Sequence, residues 1–145
     1  MHTKLLVAGL FGLTIAAGAL LTGPASAETV SYTAALLGSQ EVPPTTSKGT
    51  GAVEASYDTV TKKLAWKVSY SGLSGPPTAA HFHGPAEVGK NASVVVPLAA
   101  KDSPMEGSAT LTDAQATELA AGKWYVNIHT AAIKSGEIRG QVVKK

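Results

Sequence analysis

An all-β domain, built as an antiparallel Greek-key-like sandwich or barrel with one short helix, is the fold this 145-residue sequence predicts. Three observations carry the expectation. Short runs alternate apolar with polar residues, as in "KLAWKVSY" (63–70), where Leu64, Trp66, Val68 and Tyr70 share one face. Connections rich in Gly, Pro, Ser and Thr, such as "GSQEVPPTTSKGTG" (38–51) and "SGLSGPP" (71–77), break these runs at short intervals. A single stretch, "TDAQATELAAGK" (112–123), has helical character, with Thr112 or Asp113 as N-cap and Gly122 as terminator.

The elements follow in order. Residues 29–37 alternate Val30, Tyr32, Ala34 and Leu36 with smaller polar neighbours and read as the first strand. Residues 51–58 and 64–71 read as a hairpin pair. Residues 79–83, 93–98 and 107–111 read as three short strands, the helix comes next, and residues 124–130 and 137–143 close the domain around "AAIKSG".

Residues 1–27 stand apart. Lys4, an apolar run from Leu5 to Leu21 and the small residues Ala25, Ser26 and Ala27 have the layout of a secretory signal peptide cut before Glu28. The apolar run, about 17 residues, is short for a spanning helix. Cleavage leaves residues 28–145, about 118 residues, the size of one domain, with no membrane segment. The expected location is therefore secreted or periplasmic. No cysteine is present, so stability comes from burial or a metal rather than disulfides. Positive charge is scattered and the formal net charge is +2, which argues against a nucleic-acid partner.

The chemistry-bearing residues lie on two of these strands. In "AAHFHGPAEVG" (79–89), His81 and His83 point one way and Phe82 the other; in "WYVNIHT" (124–130), Trp124, Val126 and Ile128 oppose Tyr125, Asn127 and His129. Placing the bulky apolar sets in the core sends His81, His83 and His129 to the outer face. Two imidazoles on alternate positions stand roughly 6–7 Å apart at Cα, close enough to share one ion. A third from a neighbouring strand makes a three-nitrogen set suited to copper, with zinc the lesser fit. Arg139, the only arginine, falls on the same outer face by alternation from Ile138, as does Glu137. Glu137 or Asn127 is expected to orient an imidazole from behind. An exposed H-x-H pair also occurs without a ligand, so the reading turns on whether His129 meets the other two. "NAS" (91–93) fits a glycosylation acceptor, and Trp66, Trp124 and Tyr70 read as core aromatics.

Five stretches together, "LLGSQEVPP" (36–44), "GTGAVEASYD" (49–58), "KLAWKVSYSGL" (63–73), "AAHFHGPAEVGKNASVVVPL" (79–98) and "GKWYVNIHTAAIKSGEIRGQV" (122–142), resemble the CHRD domain, found in chordin and singly in exported bacterial proteins. That resemblance implies an all-β domain and says little about activity. His81, His83 and His129 are also similar in type and spacing to the copper ligands of copper-zinc superoxide dismutases. Those enzymes carry an H-x-H strand and a later histidine outside a Greek-key barrel, with an arginine guiding superoxide. The second resemblance implies one copper ion, superoxide as the small-anion partner, and Arg139 as its guide. His2 is the only other histidine and lies in the leader, no zinc cluster is legible, and the usual disulfide has no cysteines, so the likeness reaches a mononuclear copper site at most. The rival expectations are a non-catalytic extracellular binding or matrix module and a periplasmic copper carrier.

Overall fold

A computed structural model describes residue 23 and residues 26–145, so the expected signal peptide falls largely outside the described residues. Among the described residues eight strands run in the order β1 Thr29–Leu37, β2 Thr50–Asp58, β3 Lys63–Ser71, β4 Pro77–His83, β5 Val94–Leu98, β6 Met105–Thr110, β7 Trp124–Thr130 and β8 Ile138–Lys144. A 3-10 turn, Gly38–Gln40, follows β1, and one helix among the described residues, α1 Asp113–Ala120, precedes β7. Among the described residues no helix is long and apolar enough to cross a membrane.

All strand pairs are antiparallel, in one sheet of order β5-β4-β7-β8-β1-β2-β3-β6. The two edge strands, β5 and β6, approach each other, so the sheet curls into a nearly closed barrel. Around that closure β3, β6, β5 and β4 are neighbours, a Greek-key arrangement of three sequential strands with β3 returned beside the last. The expected all-β fold with one helix is therefore what forms among the described residues, with strand ends differing from expectation by only a few residues.

Alternation explains the interior. Tyr32, Ala34 and Leu36 of β1, Val53, Ala55 and Tyr57 of β2, and Leu64, Trp66 and Val68 of β3 are all buried on one face. Phe82 sits at the centre, its ring 5.4 Å from that of Trp66 and 5.9 Å from that of Trp124. The helix starts where its capping box dictates: Thr112 Oγ1 accepts from the Gln115 N–H at 3.2 Å, and Gln115 Oε1 accepts from the Thr112 N–H at 2.9 Å. It ends at Gly122, whose φ of 72° is left-handed.

One expectation needs correcting. The outer face of β7 and β8 is not open to solvent: Tyr125, Asn127 and Arg139 are all buried, as is Glu137 just before β8. Two connections fold back over it. The 38–49 segment is tied down by Thr45 Oγ1 donating to the Glu137 carbonyl at 2.8 Å, and the 84–92 segment by Gln141 Nε2 donating to the Ala86 carbonyl at 2.9 Å. The barrel thus has a polar layer sandwiched between sheet and loops, and the histidines lie at its margin.

Candidate metal centre

His81 and His83 sit on β4, separated by the inward-facing Phe82, and His129 sits on β7 opposite Ala79. The antiparallel register therefore brings His129 beside His81. His81 Nδ1 lies 3.3 Å from His129 Nε2. The His81 ring centroid is 5.4 Å from that of His83 and 5.1 Å from that of His129. One nitrogen from each of the three lies within 4.8 Å of the others, a spacing from which modest side-chain rotation closes on an ion held at about 2 Å.

The hydrogen bonds decide which nitrogens are offered. His129 Nδ1 is 2.8 Å from the Lys134 carbonyl and His83 Nδ1 is 2.9 Å from the Ala92 carbonyl. A carbonyl only accepts, so both rings donate from Nδ1 and leave Nε2 with its lone pair, the arrangement by which backbone carbonyls fix metal-binding imidazoles. His81 Nδ1 then donates to His129 Nε2, a hydrogen that a metal ion would replace. Burial holds the His81 imidazole below its ordinary pKa, and its neighbours His129 and His83 push the same way. Burial also lowers that of His83; the Ala92 carbonyl and Asn127 oppose the shift, while His129 and Arg139 add to it. The pair therefore remains neutral, and so able to ligate, to lower pH than free histidine.

Behind the histidines the polar layer is continuous. Tyr125 stacks flat on His83, centroids 4.8 Å apart with planes 2° from parallel, and its hydroxyl donates to the Ala92 carbonyl at 3.3 Å. Arg139 lies over the same Tyr125 ring, its guanidinium carbon 3.4 Å from the centroid. Asn127 Oδ1 is 3.0 Å from His83 Nε2. Two expectations do not fit their placement. Arg139 is 2% exposed, with Nη1 donating to Asn91 Oδ1 at 2.8 Å and Nη2 to the Lys90 carbonyl at 2.5 Å, so it clamps the 84–92 segment instead of facing an incoming anion. Glu137 touches no imidazole. It precedes β8 and points under the covering segments, where its carboxylate accepts from Ser47 Oγ at 2.7 Å, Ser74 Oγ at 2.6 Å, Thr130 Oγ1 at 2.6 Å and the Ser74 N–H at 2.9 Å. Burial alone would raise its pKa, but those donors together bring it down to about 2.

Glu41, which the sequence offers only as an acid in a Pro/Ser/Thr-rich connection, is 5% exposed, and its Oε1 has no hydrogen-bond partner among the described residues. Burial drives its pKa up to about 7; the Arg139 charge, the Val42 N–H and the adjacent Asn127 amide pull it down less strongly.

The family model for the CHRD domain matches residues 32–142. The chain belongs to the CHRD domain family. In this CHRD domain the matched span contains all three histidines, Asn127, Glu41 and Arg139. No curated protein and no solved structure matches the chain.

Proposed function

We propose that this exported CHRD-domain protein holds one copper ion through His81, His83 and His129 and presents it to superoxide. The observation that supports the reading most is the convergence of three imidazoles from two strands, two of them tautomerically fixed by carbonyls at 2.9 and 2.8 Å. Three neutral nitrogens suit copper, with zinc the competing ion. Bound copper would supply one-electron exchange with superoxide. The residues of the chain supply the rest: Ala92 and Lys134 hold the rings, Tyr125 braces His83, and half-buried His81 and His129 leave one side of the cluster reachable.

A second reading, copper carriage without turnover, is favoured by the position of Arg139, whose burial leaves no arginine at the mouth of the site to attract an anion. Copper(II) titration of the purified protein followed by electron paramagnetic resonance tests occupancy: one equivalent with nitrogen hyperfine structure is expected, and none in His81→Ala. The decay of a superoxide pulse, measured with and without copper, then separates the two readings. Acceleration only in the loaded wild type supports dismutation, and unchanged decay supports carriage. A wild type that takes up no more copper than His81→Ala sinks both.

A further inference from the structure

The floor of the histidine cluster is Asn127. It pairs directly across the ladder with His81, lies two residues from His129 on the same face, and its Oδ1 is 3.0 Å from His83 Nε2. That last contact is unusual. The Ala92 carbonyl already fixes the hydrogen of a neutral His83 on Nδ1, so Nε2 directs a lone pair at an amide oxygen that also carries lone pairs. In the neutral ring two acceptors thus face each other at hydrogen-bond distance, and only a second ring proton or a cation would join them.

Turning the amide over would relieve the conflict, and Glu41 opposes that. A Cβ built on Gly136 would lie 2.5 Å from Glu41 Oε1 and 2.7 Å from Asn127 Nδ2, so carboxyl oxygen and amide nitrogen both border the space that glycine leaves open. Gly136 also has a φ of 124°, which side-chain-bearing residues avoid. A carboxyl oxygen carries lone pairs and an amide nitrogen carries hydrogens, so Glu41, without a formed hydrogen bond at Oε1, electrostatically favours the NH2 end on its own side and the oxygen towards the histidines. Among the described residues Oε1 finds no hydrogen-bond partner, so burying Glu41 carries a desolvation cost that an apolar side chain of the same shape would not. Its position makes sense as the group that aims Asn127.

We propose that Asn127 Oδ1 is a fourth, oxygen donor to the metal held by His81, His83 and His129, with Glu41 as the positioning residue that keeps that oxygen turned to the site. Two donor atoms 3.0 Å apart can share one ion at about 2 Å, which replaces the repulsion between their lone pairs with two bonds. A three-nitrogen, one-oxygen set favours the divalent over the monovalent state of copper, because the amide oxygen is a hard ligand. This proposal rests on the metal-binding reading above.

Copper(II) affinity, the electron paramagnetic resonance spectrum and the melting temperature of the metal-free protein are compared in wild type, Asn127→Leu and the exchange variant Glu41→Gln/Asn127→Asp. The exchange keeps an oxygen towards the histidines and an amide behind it. Asn127→Leu is expected to lose about ten- to a hundred-fold in affinity, the range for a lost metal-site partner. Its parallel g value should shift while its melting temperature stays near or above that of the wild type. The exchange variant is expected within about tenfold of wild-type affinity, with the parallel g value of an oxygen-ligated site. Equal affinity and spectrum in wild type and Asn127→Leu would overturn the oxygen ligand while leaving the three-histidine site standing. An exchange variant as weak as Asn127→Leu overturns it too. If the wild type takes zinc and not copper, the copper reading fails and the same affinity contrast is read with zinc.

Discussion

Phe82 and the histidines on either side of it divide one strand between two environments. The phenyl ring is fully buried between Trp66 and Trp124, while His81 and His83 carry the polar face. Removing the ring leaves a cavity at the centre of the barrel, so Phe82→Ala should cost about 3–5 kcal/mol in urea unfolding of the metal-free protein. A loss below 1 kcal/mol would mean that the strand does not anchor the core. This division was legible in the sequence because side chains on a strand alternate regardless of what covers them. Alternation also placed Tyr125, Asn127 and His129 together and opposite Trp124, Val126 and Ile128. It could not show that Tyr125 and Asn127 are buried, since their cover comes from connections that have no period to read. Glu41 was illegible for the same reason: nothing in "QEVPP" separates an acid turned under the sheet from one in solvent.

Among the elements, the 84–92 connection does most to shape the site, because it carries the Ala92 carbonyl that sets the His83 tautomer. Its fixings come from β7 and β8. Tyr125 Oη accepts from the Ala92 N–H at 3.1 Å, Gln141 reaches Ala86, and the Arg139 fork grips Lys90 and Asn91 while lying on Tyr125. Lysine keeps the charge but has neither the fork nor the flat surface, so Arg139→Lys is not a conservative change here. Hydrogen exchange followed by mass spectrometry should show residues 84–92 losing protection in Arg139→Lys while β2 and β3 keep theirs. A stability loss of about 1.5–3 kcal/mol should accompany it, the size of a lost hydrogen bond to a charged group. Uniform loss across every strand would instead make Arg139 a general prop of the barrel, with no particular hold on the segment over the histidines. The sequence placed Arg139 on the outer face, but its grip on Lys90 and Asn91 depends on a covering connection that alternation does not reveal.

Across the whole molecule, Glu137 is the knot that joins the polar layer. Its carboxylate gathers Ser47 from the 38–49 segment, Ser74 from the β3–β4 connection and Thr130 from β7, while its own carbonyl holds Thr45. Four donors on one carboxylate bring its pKa to about 2, against an ordinary 4.5. The unfolded chain therefore binds a proton here at higher pH than the folded one. The resulting stability is fully present above about 4.5 and is lost as pH falls towards about 2. Glu41 runs the other way: raised to about 7, its contribution is fully present below about 4.5 and lost as pH rises through 7. The lowered His81 and His83 lose stability as pH falls below their ordinary 6.5, so a bare stability–pH curve mixes opposing slopes. Comparing wild type with Glu137→Gln at each pH cancels the shared groups. At pH 7 the variant should be less stable by about 1.5–3 kcal/mol, as its neutral amide cannot accept from every donor that the carboxylate does. The gap should narrow steadily between about pH 4.5 and pH 2, as the wild-type carboxylate takes up its proton and loses the same acceptors. A gap that stays constant down to pH 2 would mean that the four donors act by shape and packing, and that the Glu137 charge does not hold the covering loops to the barrel.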